Sequence, residues 1–385
     1  VVRGLRAVAD AVGAKRAVVA IKAKYTGVAE ALAGPAAEAG VEVAGLENFY
    51  PAGDEHILVR EVTGRSIPPL GLPREVDALV SNVGTLVSVD NALGGAPVTR
   101  KTLTVTGEVA RPGVVEAPIG ASMAQCLDFC GGPCVPDPVF ILGGPMMGRL
   151  VEGREALERE VVTKTSGGLI ALPRGHVLHE AATLSPEVMR RRAATACIQC
   201  RYCTDLCPRH LAGHSFETHK VMRAFAAGAD DSPAARQAVM CCECGACELF
   251  ACPMRLSPRR INAWLKAFFR RGKLAYDGPR EVREAQALLR PYRKIPTTRL
   301  AARIGLSGYL GIHPGYLGEL AVDSVRIPLA QHIGAPAAPV VRDGAPVAAG
   351  DVIGEIPEGA LGARIHASIA GVARVSDGAI IIERA

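Results

Sequence analysis

At 385 residues, the chain is long enough for two to four domains of about 150 residues each. Hydrophobic residues make up 49% and charged residues 21% of it, which argues against disorder along the whole chain, and the 4% of aromatic residues favours several small α/β modules. The net charge of +6 has a local source, a series of arginines between Arg190 and Arg271. A solvated basic face is the simplest interpretation of that series, because no nucleic-acid recognition motif accompanies it.

The sequence carries no membrane or secretory signal. No apolar run reaches the roughly 18 residues that a bilayer-spanning helix needs, and no signal-peptide core follows the N-terminus. The chain begins at Val1, inside a helical pattern and without Met, so further residues are expected before it. Twelve cysteines, eight of them at regular spacing in two tight runs, favour metal binding in a reducing cytosol over the scattered disulfides of a secreted protein.

Residues 1–97 predict an α/β domain. Residues 17–21 form a short, β-branched run that is typical of a buried parallel strand, and residues 41–46 begin another strand after a helical segment. This β-α-β order implies a parallel sheet. Further along, the pattern predicts a helix at His56–Thr63 and an apolar strand at 78–86 that leads into a helix.

Residues 98–175 differ in character and predict a small α+β module. An alternating strand at 102–109 and turn residues at 111–114 precede a short helix at 123–129. An apolar run at 139–142 then ends in a glycine-rich loop.

The rest of the chain divides by composition. Residues 185–272 are helical and carry both cysteine runs, whereas residues 273–325 are rich in Pro, Gly and Arg and predict a linker with short helices. Residues 326–385 are short strands separated by glycines, which predicts a small β-sandwich or barrel. The fold class is therefore multidomain, combining α/β and α+β parts.

The cysteine runs give the strongest chemical signal in the sequence. The first reads C-x2-C-x2-C-x3-C-P, the spacing with which bacterial ferredoxins hold iron–sulfur cubanes, and comprises Cys197, Cys200, Cys203, Cys207 and Pro208. The second keeps C-x2-C-x2-C, but its last cysteine follows after four residues instead of three; it comprises Cys241, Cys244, Cys247 and Cys252. Two-residue spacers wrap the backbone around a cubane, so we predict two [4Fe-4S] clusters.

In two-cluster ferredoxins the fourth cysteine of a run ligates the other cluster. The predicted ligand sets are therefore Cys197, Cys200, Cys203 and Cys252 for one cluster, and Cys207, Cys241, Cys244 and Cys247 for the other. Structural zinc, the alternative, needs only two C-x2-C pairs per site and leaves this pattern unexplained. Cys242 is predicted to be a spare, because a cluster held by Cys242 in place of Cys241 would leave a C-x-C spacing that fits a cubane poorly.

Three further groups of residues have open interpretations. Arginines near the ligands either tune the clusters, dock a partner or form a solvated face; they are Arg201, Arg209 and Arg255. Surface or packing roles are expected for His210, His214 and His219. Buried structural thiols are favoured over a third metal site for Cys126, Cys130 and Cys134.

Motifs along nearly the whole chain also carry a family resemblance. They are the two cysteine runs together with Tyr50–Glu55, Pro68–Pro73, Ser81–Leu86, Thr104–Gly107, Gly143–Gly148, Gln331–Pro336 and Ile365–Ser368. The set resembles the cobalamin reductases of propanediol-utilising bacterial microcompartments. More distantly, it is similar to the C subunit of Rnf electron-transport complexes and the flavoprotein subunit of respiratory complex I. A glycine-rich module that follows the clusters resembles the cobalamin reductases, since a similar module comes first in the Rnf subunit.

The resemblance implies an FMN- and NADH-binding α/β domain, a β-grasp soluble-ligand-binding module, a dicluster ferredoxin domain and a C-terminal barrel-sandwich (lipoyl-like) module. It implies FMN, two [4Fe-4S] clusters and NADH as electron donor. Carried over by motif, the flavin-side residues are Gly53, Asp54, Glu55, Asn82 and Thr85. Asp54 and Glu55 match an acidic pair near flavin and nicotinamide. Asn82 and Thr85 match an N-V-E-T motif at the flavin phosphate, in which Gly84 here replaces Glu.

One family motif has no counterpart in these residues. The glycine-rich G-x-G-G-x-G-F-P loop supplies backbone N–H groups to FMN and NADH in the family. A chain without it is expected to bind flavin weakly or not at all, and a longer protein is expected to carry it before Val1.

The function implied by the resemblance is an NADH-dependent cobalamin reductase, in the cytoplasm within a bacterial microcompartment. Its implied partners are cobalamin or a corrinoid enzyme system, microcompartment proteins and other copies of the chain. No D-x-H-x-x-G run supplies a cobalt-ligating histidine, so the cobalamin contact is expected to be transient. The alternatives are a generic Rnf-type relay to a ferredoxin or quinone, and a non-enzymatic iron–sulfur scaffold.

Overall fold

The computed structural model describes residues 1–284 and 288–384, which divide into two compact units. One unit comprises Val1–Leu86 and Glu180–Leu310, and the other comprises Val87–His179 and Gly311–Ala385. Among the described residues, no helix is long and apolar enough to cross a membrane.

The first unit opens with a small α/β layer. Strand Val18–Lys22 pairs in parallel with Glu42–Leu46, and Val18 lies opposite Glu42. Helices Val2–Ala11 and Thr26–Glu38 flank the strands, with a core that includes Val19. The predicted β-α-β order is confirmed, because alternating strand and helix patterns leave the parallel pairing as the compact solution.

The segment after this layer differs from the prediction in one place. A two-residue strand, Phe49–Tyr50, pairs antiparallel with Ile295–Pro296, and helix Glu55–Thr63 follows it as expected. The apolar strand predicted from residue 78 is absent, and the chain runs irregularly until helix Val83–Leu93. An apolar run needs a neighbouring strand to become sheet, and within the described residues the parallel sheet ends at two strands.

The cysteine-rich part is helical, as predicted. Two of its helices begin with a serine cap followed by proline: Ser185 accepts a hydrogen bond from Val188 N, and Ser232 accepts one from Ala235 N. The helices pack around a core that includes Phe225, over whose ring the guanidinium of Arg190 lies at 4.0 Å. The α-helices here are Val177–Thr183, Pro186–Ala196, Tyr202–Asp205, Pro208–Leu211, Thr218–Ala226, Pro233–Arg236, Pro258–Arg271 and Thr297–Arg303.

A mixed six-stranded sheet forms half of the second unit. In spatial order its strands are Gly315–Glu319, Gly113–Pro118, Arg100–Gly107, Gly168–Pro173, Pro138–Leu142 and Arg149–Glu152. Helices Met123–Phe129 and Arg154–Arg159 accompany it. Ser122 and Gln125 form a capping box at the start of the first of these helices, which explains where it begins.

The edge strand Gly315–Glu319 lies inside the segment predicted to be a linker. It pairs in parallel with Gly113–Pro118, about 200 residues earlier, with Tyr316 opposite Val114. The short helices expected in that segment are present at Arg290–Arg293, Thr297–Arg303 and Ser307–Tyr309. A short, glycine-containing strand at a sheet edge has no periodicity of its own, so composition alone could not separate it from a linker.

The C-terminal residues form two small antiparallel sheets, as the glycine-separated strands predicted. One has the order Ser324–Pro328, Ala379–Glu383, Gly371–Ser376 and Ala345–Val347, and the other has the order Ala338–Pro339, Val352–Glu355 and Ile365–His366. Ile353 and Ile380 are fully buried in a core continuous with that of the six-stranded sheet. Both halves of this unit are therefore held by one apolar core.

Gly107 tests this packing, because its φ is 91° and a Cβ there would lie 2.1 Å from the backbone oxygen of Ala171. We expect Gly107→Ala to reduce the free energy of unfolding by about 3 kcal/mol or more, since backbone atoms cannot move aside. Gly132 is the matched control, with φ of 79° and nothing within 4 Å of its Cβ position. Gly132→Ala should cost about 1 kcal/mol. Thermal unfolding followed by circular dichroism measures both, and equal losses would contradict the packing argument.

Candidate iron–sulfur and flavin site

The two cysteine loops turn in the same way. In the first, Gln199 and Arg201 have φ of 52° and 63°, and in the second, Glu243 and Gly245 have φ of 58° and 78°. These residues stand before and after the middle cysteine of each C-x2-C-x2-C run. Left-handed residues at these positions curl the backbone, so that successive thiols point toward one centre.

The extra residue in the second run has a structural explanation. Between Cys203 and Cys207 the chain continues the α-helix Tyr202–Asp205, whereas between Cys247 and Cys252 it forms a π-helix, Ala246–Ala251. The amide of Cys252 donates to the carbonyl of Cys247, five residues back, at 3.1 Å. A π-turn holds one more residue than an α-turn, so the four-residue spacer ends where a three-residue spacer would.

The eight cysteines meet in two groups, each with members from both runs. Cys197, Cys200, Cys203 and Cys252 line one cavity of about 350 Å³ including its open mouth; we call it the Cys197 site. Cys207, Cys241, Cys244 and Cys247 line a second cavity of about 270 Å³, the Cys241 site, whose wall also includes Cys242. The structure thus brings together the two sets that the crossed pattern predicted.

The donor sets suit polynuclear clusters. Within the described residues, no three His, Cys, Asp or Glu side chains lie close enough to hold a single metal ion, and the cysteines face shared cavities instead. A lone zinc would draw four sulfurs to about 2.3 Å from one point. Four cysteines spread around each shared cavity fit the larger [4Fe-4S] core better.

Hydrogen-bond donors already face three of the sulfurs. Gln199 Nε2 lies 3.1 Å from Cys197 Sγ, Glu243 N lies 3.3 Å from Cys241 Sγ, and Leu256 N lies 3.4 Å from Cys252 Sγ. Such donors stabilise thiolate charge and so favour cluster binding. Burial, together with neighbouring thiols, raises the pKa of Cys203 to about 12, so metal binding there displaces a proton.

The acidic residue of the flavin-side turn reaches the cluster-binding part of the chain. Asp54 caps helix Glu55–Thr63 by accepting a hydrogen bond from His56 N at 3.1 Å. Its other oxygen accepts one from Arg209 Nη2 at 3.0 Å, and both side chains are almost wholly buried. Arg209 lies two residues after Cys207. Burial raises the pKa of the Cys207 thiol, and the Arg209 charge offsets part of that rise, whereas a hydrogen bond with Cys244 and the Arg209 charge lower the pKa of Cys242. The Asp54 carboxylate, expected beside flavin and nicotinamide, is thus engaged by an arginine next to the Cys241 site.

Tyr50 makes a second link of this kind. Its hydroxyl donates to the backbone oxygen of Cys244 at 2.6 Å, across 194 residues of sequence. Burial, with the nearby Cys244 and Cys242, raises the pKa of Tyr50, so the hydroxyl keeps its proton and remains a donor. The segment Tyr50–Glu55 is therefore hydrogen-bonded to the wall of the Cys241 site through Tyr50, and to Arg209, which follows the lining residue Pro208, through Asp54.

The other flavin-side residues lie at two helix N-termini. Gly53 and Glu55 are exposed in the turn before helix Glu55–Thr63, with open space where a Cβ of Gly53 would be. Asn82 accepts from Gly84 N at 2.9 Å at the start of helix Val83–Leu93, and Thr85 is exposed in its first turn. An exposed amide and hydroxyl at a helix N-terminus suit a phosphate, so these residues fit the phosphate end of FMN.

All three histidines make hydrogen bonds to protein oxygens, and His219 also lines the Cys197 site. Nδ1 of His210 lies 3.1 Å from Phe216 O, and Nε2 of His214 lies 2.9 Å from Ile67 O. His219 bonds the hydroxyl of Thr204 at 2.8 Å. Burial lowers the pKa of His214 to about 4, which keeps the ring neutral.

The arginines near the ligands separate into two classes. Arg209 is buried, whereas Arg201 and Arg255 are exposed, so one solvated face does not describe all three. Among the remaining thiols, Cys126 and Cys130 are fully buried in the core of the second unit, as expected, but Cys134 is exposed. Gly131 and Gly132, both with positive φ, turn the chain out of the core before it.

Comparison with known families agrees with this geometry. The Nuo51 FMN-binding domain matches residues 1–91, the 4Fe-4S dicluster domain matches residues 196–257, the SLBB domain matches residues 102–150, and the RnfC barrel-sandwich hybrid domain matches residues 319–381. The fold class is thereby confirmed as a multidomain α/β and α+β chain.

Named relatives cover the whole length. Cobalamin reductase PduS of Salmonella typhimurium is 42% identical over all of this chain and 84% of its own length, and that of Citrobacter freundii is 41% identical over 96% and 81%. The chain belongs to the cobalamin reductase family. A more distant relative, the C subunit of a proton-translocating ferredoxin:NAD+ oxidoreductase complex from Clostridium ljungdahlii, is 31% identical over 55% of this chain and 43% of its own.

Membership in the cobalamin reductase family identifies the chain as an NADH-linked electron-transfer flavoprotein, with FMN and [4Fe-4S] clusters as its cofactors. When bound, FMN exchanges a hydride with nicotinamide and single electrons with clusters. Asn82 and Thr85 are exposed at a helix N-terminus that would suit its phosphate, and the eight cysteines line the two cavities that would suit the clusters.

Substitution of neighbouring cysteines distinguishes ligand from spare. We expect Cys241→Ala to lose the cluster of the Cys241 site and about half of the bound iron, and Cys242→Ala to keep the full content. Iron and sulfide analysis with EPR of the reduced protein measures both. Loss of a cluster in Cys242→Ala alone would assign the ligand to Cys242 instead.

Replacement of Asp54 by asparagine isolates the ion pair, since asparagine also caps helices well. We expect Asp54→Asn to reduce the free energy of unfolding by about 3 kcal/mol, because Arg209 keeps a buried charge without its counter-ion. The exposed pair Glu75–Arg280, 2.8 Å apart, provides the control. Glu75→Gln should cost less than about 1 kcal/mol in the same denaturation experiment. Equal losses for the two variants would show that the buried pair contributes nothing special.

Proposed function

We propose that this chain reduces a corrinoid with electrons from NADH, using FMN and two [4Fe-4S] clusters, within a bacterial microcompartment. The observation that carries the proposal is the pair of four-cysteine cavities, one of which is hydrogen-bonded to the flavin-side turn through Tyr50. The names of the full-length relatives favour cobalamin as the acceptor.

The proposed roles follow from where the side chains lie. The ligands of the two clusters are the cysteines of the Cys197 and Cys241 sites, one set each. Gly53, Glu55, Asn82 and Thr85 form the flavin side, and Asp54 acts there through Arg209 rather than by direct contact. No group of this chain needs to donate a proton in the reduction of cobalt, since that step transfers an electron alone.

Two rival functions remain distinct in what they predict. A generic relay would pass electrons to a ferredoxin or quinone partner, and the partial similarity to one component of a ferredoxin:NAD+ oxidoreductase complex supports it. A scaffold would hold its clusters without turning them over. Both rivals keep the cysteine sites: the relay differs from the proposal in its acceptor, and the scaffold differs in passing no electrons.

The acceptor is therefore the first thing to measure. The full protein, loaded anaerobically with FMN and clusters, is reduced by NADH and mixed with cob(III)alamin while the visible spectrum is recorded. We expect reduction through cob(II)alamin to cob(I)alamin, because a dedicated reductase must supply a low-potential electron. An end at cob(II)alamin would favour the generic relay, and clusters that NADH cannot bleach would favour the scaffold.

Cysteine variants provide the control for that experiment. Cys203→Ala removes a predicted ligand and should abolish formation of cob(I)alamin. Cys134→Ala removes an exposed thiol of the second unit and should leave the rate unchanged. Equal rates for both variants would exclude the Cys197 site from the electron path.

The microcompartment location is tested separately. We expect the tagged full protein to copurify with purified shells of a propanediol-utilising bacterium and to resist added protease until the shells are broken. Complete digestion in intact shells would contradict encapsulation.

A further inference from the structure

We infer that electrons arrive at the Cys241 site and leave from the Cys197 site, and that the exposed rim of the Cys197 site is where the corrinoid docks. The corrinoid as acceptor rests on the proposed function. The order of the two sites along the electron path is argued independently, from hydrogen bonds and burial.

The flavin side of the chain contacts only one of the two sites through the hydrogen bonds described above. Tyr50 Oη donates to Cys244 O, and Asp54 pairs with Arg209, whose charge acts on Cys207 and Cys242. All of these cysteines line the Cys241 site. Gly53 and Glu55, the exposed flavin-side residues, belong to the same short turn. The Cys241 site is therefore the one that faces the electron donor.

The burial of the cysteines points the same way. All four cysteines of the Cys241 site are between 6% and 8% exposed, so protein separates that site from solvent. In the Cys197 site, by contrast, Cys197, Cys200 and Cys203 are only half-buried. An acceptor that diffuses in from solvent reaches the Cys197 site with less intervening protein.

The rim of the Cys197 site has a composition that fits a corrinoid. Ile198 and Met254 line the cavity mouth and are 64% and 41% exposed, and Tyr202, next to the lining residue Arg201, is 51% exposed. Exposed apolar side chains around a chemically active cavity mark an interaction surface. A tyrosine ring and aliphatic side chains suit the apolar face of a macrocycle.

The charges of this rim complement the same ligand. Arg201 and Arg255 are both exposed, and Asp205, which lies 3.3 Å from Arg201, is half-buried behind it. The nucleotide loop of cobalamin carries an anionic phosphodiester, and guanidinium groups recognise phosphates well. Arg201 lines the cavity and Arg255 follows the lining residue Met254, so a flat apolar ring with one anionic arm matches this apolar and basic rim.

The electron count of the step balances without further reactants. Oxidation of NADH to NAD+ releases one proton to solvent and two electrons. Each corrinoid takes one electron as Co(II) becomes Co(I), so one NADH reduces two corrinoids. In the donor only the C–H bond of the nicotinamide is broken, and the cobalt releases its remaining axial ligand to solvent as it becomes Co(I).

Rim variants test the outlet without touching a ligand. We expect Ile198→Glu and Arg255→Glu to slow the reoxidation of the NADH-reduced protein by cob(II)alamin about tenfold, since each places a carboxylate where an anionic ligand docks. The rate at which NADH reduces the clusters, and the EPR signals of both clusters, should not change. Val28→Glu is the matched control, because Val28 is 51% exposed on helix Thr26–Glu38 and should alter neither rate.

A variant on the flavin side tests whether electrons enter at the Cys241 site. Tyr50→Phe removes only the hydrogen bond to Cys244 O, and should slow cluster reduction by NADH while leaving reoxidation by cob(II)alamin unchanged. Slower reoxidation in Tyr50→Phe together with normal reoxidation in Ile198→Glu would overturn the assigned order. If the rim variants slowed reoxidation of the reduced protein by an acidic ferredoxin but not by cob(II)alamin, the corrinoid would be ruled out as the ligand of the rim.

Two variants of predicted cluster ligands, one in each site, test the order of electron transfer even if a corrinoid is not the acceptor. In Cys200→Ser, NADH should still produce the EPR signal of the Cys241 site, whereas in Cys244→Ser it should fail to reduce the remaining cluster, although dithionite reduces it. The reverse pattern would overturn the order. A wild-type protein that shows this EPR pattern but never reduces corrinoid would overturn the proposed function and retain the order.

Discussion

The crossed pairing of two cysteine runs is the constraint on which the first unit depends. Cys252 closes the site opened by Cys197, and Cys207 closes the one opened by Cys241, so neither loop can complete a site alone. The chain between the two cysteine runs must therefore fold so that the runs, about 45 residues apart in sequence, lie side by side. The π-helix Ala246–Ala251 is the local adjustment that this arrangement requires, since it places Cys252 correctly despite the extra residue in its spacer.

A buried ion pair carries that arrangement to the flavin side. Asp54 caps the N-terminus of helix Glu55–Thr63 and forms an ion pair with Arg209, which follows the proline after Cys207. One carboxylate thus accepts hydrogen bonds from backbone N–H groups, balances a buried cation and ties the turn to the residue that follows the lining residue Pro208. Removal of either partner would leave a charge in an apolar setting, which is costly, so the pair fixes relative positions more than it adds stability. The Tyr50 hydroxyl supports the same contact from the preceding strand.

The parts of the fold that sequence reasoning predicted well are those with strong local patterns. The β-branched run at 17–21, the serine-capped helices and the glycine-separated C-terminal strands each have a periodicity or a cap that one segment reveals by itself. The errors have one cause. The run at 78–86 was apolar enough for a strand but had no neighbour, and Gly315–Glu319 was a strand because of a neighbour about 200 residues away. Sheet membership is a property of pairs of segments, so a single segment cannot disclose it.

For the site, the sequence by itself determined the candidate ligand types and their spacing, because thiolate reach around a cubane is set within a dozen residues, and the two-cluster ferredoxin pattern predicted the crossed grouping of the eight cysteines. It also determined the family, through motifs along nearly the whole chain. Only the tertiary structure decided that Asp54 pairs with Arg209, 155 residues away, and that Tyr50 donates a hydrogen bond to Cys244. It also decided that one site is buried while the other has an exposed apolar and basic rim. These features depend on which distant segments exclude water from one another, and burial of that kind arises only when the chain is folded.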